Sequence, residues 1–310
     1  MKSHNFSHKH ILDFSRFSPQ DISFILDTAE SFKEISRRPI KKVPALRGNT
    51  IINLFFEPST RTRLSFEIAA KRMSADTFNI SASTSSATKG ESLIDTVRNI
   101  NAMKPDVIIV RHSHSGAPHM IARHTEGSVI NAGDGIHEHP SQGLLDLLTV
   151  RDHKKKLDNL KIAIIGDILH SRVAHSDIVG FTTMGSKVYI YGPATFLPKS
   201  LTSMGAIICS NMEEALADAD VVMTLRIQKE RQNDPLLPSF REYSKLYGIN
   251  RQRIELAKSD AIIMHPGPIN RGIELMPDVA DDPRRSVILD QVTNGVAVRM
   301  ALLYLVIGAS

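Results

Sequence analysis

The chain contains few of the residue types that mark several common classes of protein. It has one cysteine, Cys209, among 310 residues, no tryptophan, and only 5% aromatic residues. A single cysteine excludes a disulfide within the chain and a cysteine-rich zinc site. Few aromatic side chains argue against a base-stacking surface. We therefore expect no nucleic-acid partner, and the cysteine content fits a reducing compartment.

Long hydrophobic runs are scarce as well. The N-terminal stretch MKSHNFSHKH has no apolar core of the kind found in signal peptides. The most apolar segment, residues 292–307, contains Arg299 and is shorter than the roughly 20 residues that span a bilayer. We interpret it as a buried amphipathic helix. We expect no membrane partner and a cytoplasmic location.

Short apolar runs alternate with helix-like segments along the chain. The runs lie at residues 50–56, 106–111, 128–133, 161–167, 187–192, 206–209, 220–226 and 261–266. This alternation predicts the α/β class, with parallel sheets flanked by helices, and 310 residues suffice for two domains. The helix after the first run is predicted to bury Leu64, Ile68 and Ala69 on one face.

Basic residues follow most of the predicted strands. Ligands of α/β proteins bind beyond the carboxyl ends of the strands, so these residues are candidates for one site. They include Arg61, Arg111, His139, Arg172 and Arg226. Repeated arginines, together with a net charge of +5, indicate an anionic ligand with several carboxylate or phosphate groups.

The stretch PSTRTR lies where the first strand turns into a helix. A helix N-terminus offers unpaired N–H groups and the positive end of the helix dipole. The hydroxyls of Ser59, Thr60 and Thr62 and the guanidinium of Arg61 add further donors, which predicts a phosphate cradle formed by these four residues. The alternative is an ordinary Ser/Thr N-cap beside surface arginines, although a cap needs only one hydroxyl.

Other phosphate and metal motifs are absent from the sequence. The turn GDILHS lacks the glycine spacing of a dinucleotide site, and no G-x-x-x-x-G-K-[ST] or H-E-x-x-H occurs. His137 and His139 do not have the spacing of a helix-borne zinc pair. We expect neither a metal nor a cofactor. His139 itself is interpreted either as a structural group before Pro140 or as a donor to a carbonyl oxygen.

Four motifs occur in one order along the chain: FFEPSTRTRLSFE, HEHPSQGLLDLLTV, RIQKER and HPGP. Together they resemble the aspartate/ornithine carbamoyltransferase family over nearly the whole chain. The resemblance implies transfer of the carbamoyl group from carbamoyl phosphate to the amino group of L-aspartate, in pyrimidine biosynthesis. It also implies a carbamoyl phosphate-binding domain (1–145 with 291–310) and an aspartate-binding domain (146–290), with the C-terminal helix returning to the first.

The resemblance assigns roles to individual residues. Carbamoyl phosphate is expected to contact Ser59, Thr60, Arg61, Thr62, Arg111, His139, Gln142 and the backbone at Pro266 and Gly267. Aspartate is expected to contact Lys89, Arg172, Arg226 and Gln228. The catalytic charges are expected from Arg61, Lys89, Arg111 and His139. The Gly267–Pro268 bond is a candidate cis peptide.

The loop SSATKGES is implied to enter the site of a neighbouring subunit, so that Ser85 and Lys89 act in trans within a homotrimer. Partner chains are expected to be either a dihydroorotase or a regulatory chain. Glu57 is expected to pair with Arg172 or Arg231 when the two domains close.

Two alternatives stay open at this point. An ornithine carbamoyltransferase would share the cradle, but it typically carries an HCLP motif where this chain has HPGP. A catalytically silent scaffold would be expected to lose Arg61, Lys89 or His139, and all three are present.

Overall fold

A computed structural model describes residues 6–81, 90–228 and 239–309. The chain divides into two compact units. The first unit comprises Met1–Leu145 and Thr293–Ser310, and the second unit comprises Asp146–Val292. Each unit is built on its own parallel sheet with helices. The predicted α/β class is therefore confirmed.

The first unit contains four strands: β1 (Thr50–Phe55), β2 (Asp76–Ser81), β3 (Val107–His112) and β4 (Ser128–Asp134). All pairings are parallel, and the strand order is β2-β1-β3-β4. Its helices are α1 (Pro19–Arg37), α2 (Thr60–Arg72), α3 (Leu93–Ala102) and α4 (Ala117–Ala122). Helix α5 (Pro140–Lys154) begins in the first unit and ends in the second.

The second unit contains five parallel strands: β5 (Lys161–Ile165), β6 (Lys187–Tyr191), β7 (Ala206–Ile208), β8 (Val221–Thr224) and β9 (Ile262–Met264). Their order is β7-β6-β5-β8-β9. In the described part of this unit the helices are α6 (Arg172–Thr183), α7 (Met212–Leu216), α8 (Phe240–Tyr247), α9 (Arg251–Ile254) and α10 (Pro277–Ala280), and 3-10 helices cover Ala194–Phe196 and Lys199–Met204.

All eight predicted apolar runs contain strands, but β2 was not predicted. Its residues are exposed or half-buried, whereas every residue of β4 is buried. β2 lies at the edge of its sheet, so it needs no continuous apolar run.

The predicted apolar face of α2 is partly wrong. Ala69 is buried as expected, together with Phe66 and Ala70, but Leu64 is 52% exposed. Glu67 and Lys71 form an i,i+4 ion pair on this helix, with Lys71 Nζ 2.6 Å from Glu67 Oε1.

The last helix, α11 (Ile288–Gly308), is the predicted buried C-terminal helix. It is long and apolar enough for a membrane span by length and composition, but most of it is buried inside the protein. Its later part belongs to the first unit. There the ring centroids of Tyr304 and Phe32 lie 5.8 Å apart, and the Ser128 hydroxyl donates to Val306 O at 3.2 Å. The predicted return of this helix to the first unit is confirmed.

Candidate active site

Each sheet reverses its strand order at one point. β1 lies between β2 and β3 in the first unit, and β5 lies between β6 and β8 in the second. Ligands of α/β proteins bind at such reversals, beyond the carboxyl ends of the strands. Most of the predicted site residues that the structure describes lie at or beyond the carboxyl ends of strands in the two sheets.

Ser59 is the N-cap residue of α2, yet its side chain makes no cap hydrogen bond. The N-cap serines of α1, α3, α6 and α8 each accept a hydrogen bond from the backbone N–H three residues later. The Ser59 hydroxyl is thus not used for capping, which favours the cradle over an ordinary cap. Thr60 beside it is exposed, and Thr62 is buried.

The first turn of α2 is positive. It carries no acidic residue, and the side chains of Arg61 and Arg63 are exposed there. The first turns of α1 and α3 instead carry Asp21 and Asp95, which compensate the positive end of a helix dipole. Helix α2 therefore adds positive side chains to a positive helix end, and this arrangement favours a bound anion.

Arg111 lies beside the start of the cradle. It pairs in register with Phe55, the last residue of β1. Its Nη1 donates to Ala132 O at 3.3 Å, and its Nε lies 3.4 Å from Glu57 Oε2. Glu57 therefore forms an ion pair within its own unit, and its expected pairing with arginines of the other domain stays a prediction.

His139 and Gln142 lie at the start of α5, and both are buried. The His139 carbonyl accepts hydrogen bonds from Gln142 N at 2.8 Å and Gly143 N at 3.2 Å. Ser141 Oγ lies 3.4 Å from His139 Nδ1. When Ser141 donates to Nδ1, the ring proton resides on Nε2, and that nitrogen is the donor the carbonyl role requires.

Asp134 organises the turn that leads to His139, a role that the sequence did not predict. Its buried carboxylate accepts hydrogen bonds from Gly116 N (2.8 Å), Asn131 Nδ2 (2.8 Å) and Glu138 N (3.2 Å), and it pairs with His137 Nδ1 (3.1 Å). The hydrogen bond to Asp134 raises the pKa of His137, more than burial lowers it. Burial alone would raise the pKa of Asp134, but these hydrogen bonds outweigh it, and the pKa is lowered.

Asp167 has a similar role in the second unit. It follows β5, is fully buried, and accepts hydrogen bonds from His170 Nδ1 at 2.8 Å and from Gln228 N at 3.0 Å. It therefore connects the segments after β5 and β8. Gly166 allows this close approach, since a Cβ there would lie 2.8 Å from Leu225 O. The signal in the sequence was an acidic residue directly after a strand-end glycine.

Three residues of the second unit are predicted to bind the substrate aspartate, and they follow β5 and β8, the strands at which the order of this sheet reverses. Arg172 is the first residue of α6, and only 2% of it is exposed. Arg226 Nη2 donates to Gln228 Oε1 at 3.2 Å, and Gln228 Nε2 donates to Arg226 O at 3.3 Å. A guanidinium and an amide held together in this way suit a carboxylate ligand.

The HPGP motif follows β9. The Gly267–Pro268 bond is cis, as predicted, and Gly267 has a φ of +66°. Gly267 N donates to His265 Nδ1 at 2.7 Å, and Pro266 has no N–H to donate. The carbonyl oxygens are therefore the polar backbone atoms that Pro266 and Gly267 offer to a ligand.

Ser85, Lys89 and Arg231 lie outside the described residues. Among the residues that the structure describes, no group of three or more His, Cys, Asp or Glu side chains could hold a metal ion.

Two family models match the chain. The model described as aspartate/ornithine carbamoyltransferase, carbamoyl-P binding domain, matches residues 9–152. The model described as aspartate/ornithine carbamoyltransferase, Asp/Orn binding domain, matches residues 158–306.

Curated relatives and solved structures are similar over nearly the whole chain. The aspartate carbamoyltransferase catalytic subunit of Desulfotalea psychrophila is 66% identical, over 98% of this chain and 96% of its own. That of Syntrophotalea carbinolica is 61% identical, over 98% and 96%. Aspartate transcarbamoylase of Trypanosoma cruzi, in complex with N-(phosphonacetyl)-L-aspartic acid, has a TM-score of 0.87 at 32% identity, covering 96% of each chain. Ornithine carbamoyltransferase of Pyrococcus furiosus also has a TM-score of 0.87, at 28% identity, covering 98% and 99%.

Proposed function

The chain belongs to the aspartate/ornithine carbamoyltransferase family, and we propose that it transfers the carbamoyl group of carbamoyl phosphate to the α-amino group of L-aspartate. The products are N-carbamoyl-L-aspartate and phosphate, and the reaction belongs to pyrimidine biosynthesis. The observation that carries this proposal is the start of α2, where the Ser59 hydroxyl makes no cap hydrogen bond and the first turn is positive.

The reaction needs no enzyme nucleophile, because the amine of aspartate attacks the carbonyl carbon itself. The carbonyl oxygen gains negative charge, the bond to the phosphate oxygen breaks, and the leaving phosphate takes up the proton from the amine. The cradle holds the phosphate, while Arg111 and His139 stabilise the charge on the carbonyl oxygen. The contribution of the protein is thus positioning and electrostatic stabilisation.

Aspartate, rather than ornithine, is the acceptor. Arg172 and Arg226 suit the two carboxylates of aspartate, whereas ornithine would bring an ammonium group to one of them. The two folds do not discriminate, since both kinds of relative have the same TM-score. The close relatives at 61–66% identity are aspartate carbamoyltransferase catalytic subunits.

The working unit is a homotrimer in the cytoplasm, with Ser85 and Lys89 entering the neighbouring site. The edge strand β2 supports this, because it precedes that loop and carries Phe78, which is 56% exposed. An exposed apolar side chain on an unpaired strand edge is a typical contact between subunits. Trimers associate further with a dihydroorotase or a regulatory chain.

The test supplies carbamoyl phosphate and aspartate and measures both the ureido product and phosphate. We expect the two products in equal amounts, and almost complete loss of both in Arg61→Ala. Phosphate release without the ureido product would contradict the proposal.

The shared site has its own test. Arg61→Ala and Lys89→Ala chains should each be inactive alone, but mixed trimers should contain some sites that carry neither substitution. We therefore expect a fraction of the activity to return after mixing. If each site were built from one chain, mixing would restore none.

A further inference from the structure

A buried polar chain in the second unit begins at two carboxyl groups. Asp146 on α5 and Asp177 on α6 are both fully buried. Burial, and then the charge of Asp146, raise the pKa of Asp177. Two bare carboxylates would repel each other in this interior, so the pair holds one proton between them.

Gln291 connects this pair to the backbone after β9. Its Nε2 donates to Asp146 Oδ1 at 2.6 Å, and its Oε1 accepts from His265 N at 3.0 Å. A backbone N–H can only donate, so the orientation of the amide is fixed at that end. Only 3% of Gln291 is exposed, and water does not easily replace these bonds.

His265 continues the chain into the HPGP motif. Its Nδ1 accepts from Gly267 N at 2.7 Å, so the ring proton resides on Nε2, which lies 3.2 Å from Glu274 Oε1. Glu274 Oε1 also accepts from Asn270 N at 2.6 Å. The start of the motif and Asn270, two residues beyond its end, are therefore anchored to buried side chains.

We propose that Gln291 is a positioning residue that fixes the HPGP backbone and thereby aims the carbonyl oxygens of Pro266 and Gly267, the backbone that the family resemblance already assigns to the carbamoyl –NH2 group. This inference rests on the proposed function. The consequence is chemical selectivity, because the Gly267 N–H is already used by His265. Carbonyl oxygens can accept from an amide nitrogen but gain nothing from a methyl group.

Acetyl phosphate is the matched probe, because it carries a methyl group where carbamoyl phosphate carries –NH2. Gln291→Met keeps the length of the side chain but removes both hydrogen bonds. We expect the dissociation constant for carbamoyl phosphate to rise about tenfold, as for one or two weakened hydrogen bonds. The dissociation constant for acetyl phosphate should stay within about twofold. Calorimetry on the full-length protein measures both.

Asp290→Asn is the control, because Asp290 adjoins Gln291 but lies at the surface, where it pairs with His153 at 2.9 Å. It should change neither constant. Gln291→Asn is a milder second variant, because its side chain is too short to reach both Asp146 and His265. It replaces Gln291→Met if circular dichroism shows that Gln291→Met does not fold.

Two results for Gln291→Met would overturn the inference. Either carbamoyl phosphate and acetyl phosphate would lose binding affinity equally, or carbamoyl phosphate would lose none. A different result would contradict the proposed function, namely a wild-type protein that makes no ureido product from aspartate. The two failures are therefore distinguishable.

Discussion

Substitution of Ser59 should affect ligand binding but not the stability of α2. Because its hydroxyl makes no cap hydrogen bond, Ser59→Ala should change the free energy of unfolding by less than about 0.5 kcal/mol. Loss of a hydrogen bond to a charged phosphate, about 1.5–3 kcal/mol, should weaken carbamoyl phosphate binding about 10- to 100-fold. Denaturant titration and calorimetry measure the two effects.

Ser18→Ala is the matched control, since Ser18 accepts a hydrogen bond from Asp21 N in the capping box of α1. It should cost about 1 kcal/mol of stability and leave binding unchanged. A Ser59→Ala protein that loses stability but binds normally would show that Ser59 is an ordinary cap.

The shared proton of Asp146 and Asp177 makes stability depend on pH. The pKa of Asp177 is raised in the folded state by burial, whereas it is about 3.9 in the unfolded chain. Between these two values the unfolded state has lost a proton that the folded state retains. Stability therefore falls as pH rises, by up to about 1.4 kcal/mol per pH unit.

Asp177→Asn should remove this loss, because an amide side chain does not ionise. We expect the variant to be more stable than wild type near pH 8, with the difference shrinking towards about pH 4. Thermal melting across this range measures it, with the exposed Asp281→Asn as control. A difference that does not change with pH would rule out the shared proton.

Residues at or beyond the ends of predicted strands could be proposed as site candidates from the sequence, as Arg111, His139 and Arg226 illustrate. Asp134 and Asp167 each follow a glycine directly, but this signal does not reveal their role, because their importance comes from partners that folding brings near. Asp167, for example, binds a backbone N–H 61 residues further along the chain.

At the scale of elements, the turn between β4 and α5 is sensitive to pH. The hydrogen bond to Asp134 raises the pKa of His137, and the charges of Glu138 and Asp13 add to this effect. The stabilisation is complete below the unfolded pKa of about 6.5 and is lost as pH rises through the raised folded value.

His137→Gln should therefore lower stability near pH 6 and have little effect near pH 9. Denaturation at both values measures this difference. His124→Gln is the control, since His124 Nδ1 pairs with a backbone oxygen, Met120 O, at 2.8 Å rather than with a carboxylate. An equal loss for His137→Gln at both values would contradict the account.

Buried strands were predictable as apolar runs, whereas β2 was not. Its sequence, DTFNIS, alternates polar and apolar residues, as an edge strand with one wet face does. The burial of Leu64 on α2 was predicted wrongly, because the prediction rested on apolar spacing alone. Helical spacing identifies apolar residues but does not tell whether the sheet or another surface covers them.

At the scale of the whole molecule, strand alternation was enough to predict the α/β class. The strand orders were not predictable from it, because the alternation does not indicate which strands are neighbours. Those orders decide the site, since they create the reversals beside which the cradle and Arg226 lie.

The proposed trimer should have a mass of about 103 kDa, three times the chain mass of 34.3 kDa. Phe78→Lys places a charge on the exposed edge strand and should shift the protein towards monomers. Ile40→Lys is the control, because Ile40 is also exposed (78%) but lies outside β2. Light scattering measures the masses. A monomeric wild-type protein would contradict the proposed assembly.

The central claim is tested most directly by competition between the two acceptors of the family. The protein receives carbamoyl phosphate with equal concentrations of L-aspartate and L-ornithine, and mass spectrometry identifies the carbamoylated product. If aspartate is the acceptor, we expect N-carbamoyl-L-aspartate and no carbamoylated ornithine above the uncatalysed background. Carbamoylated ornithine as the main product would contradict it.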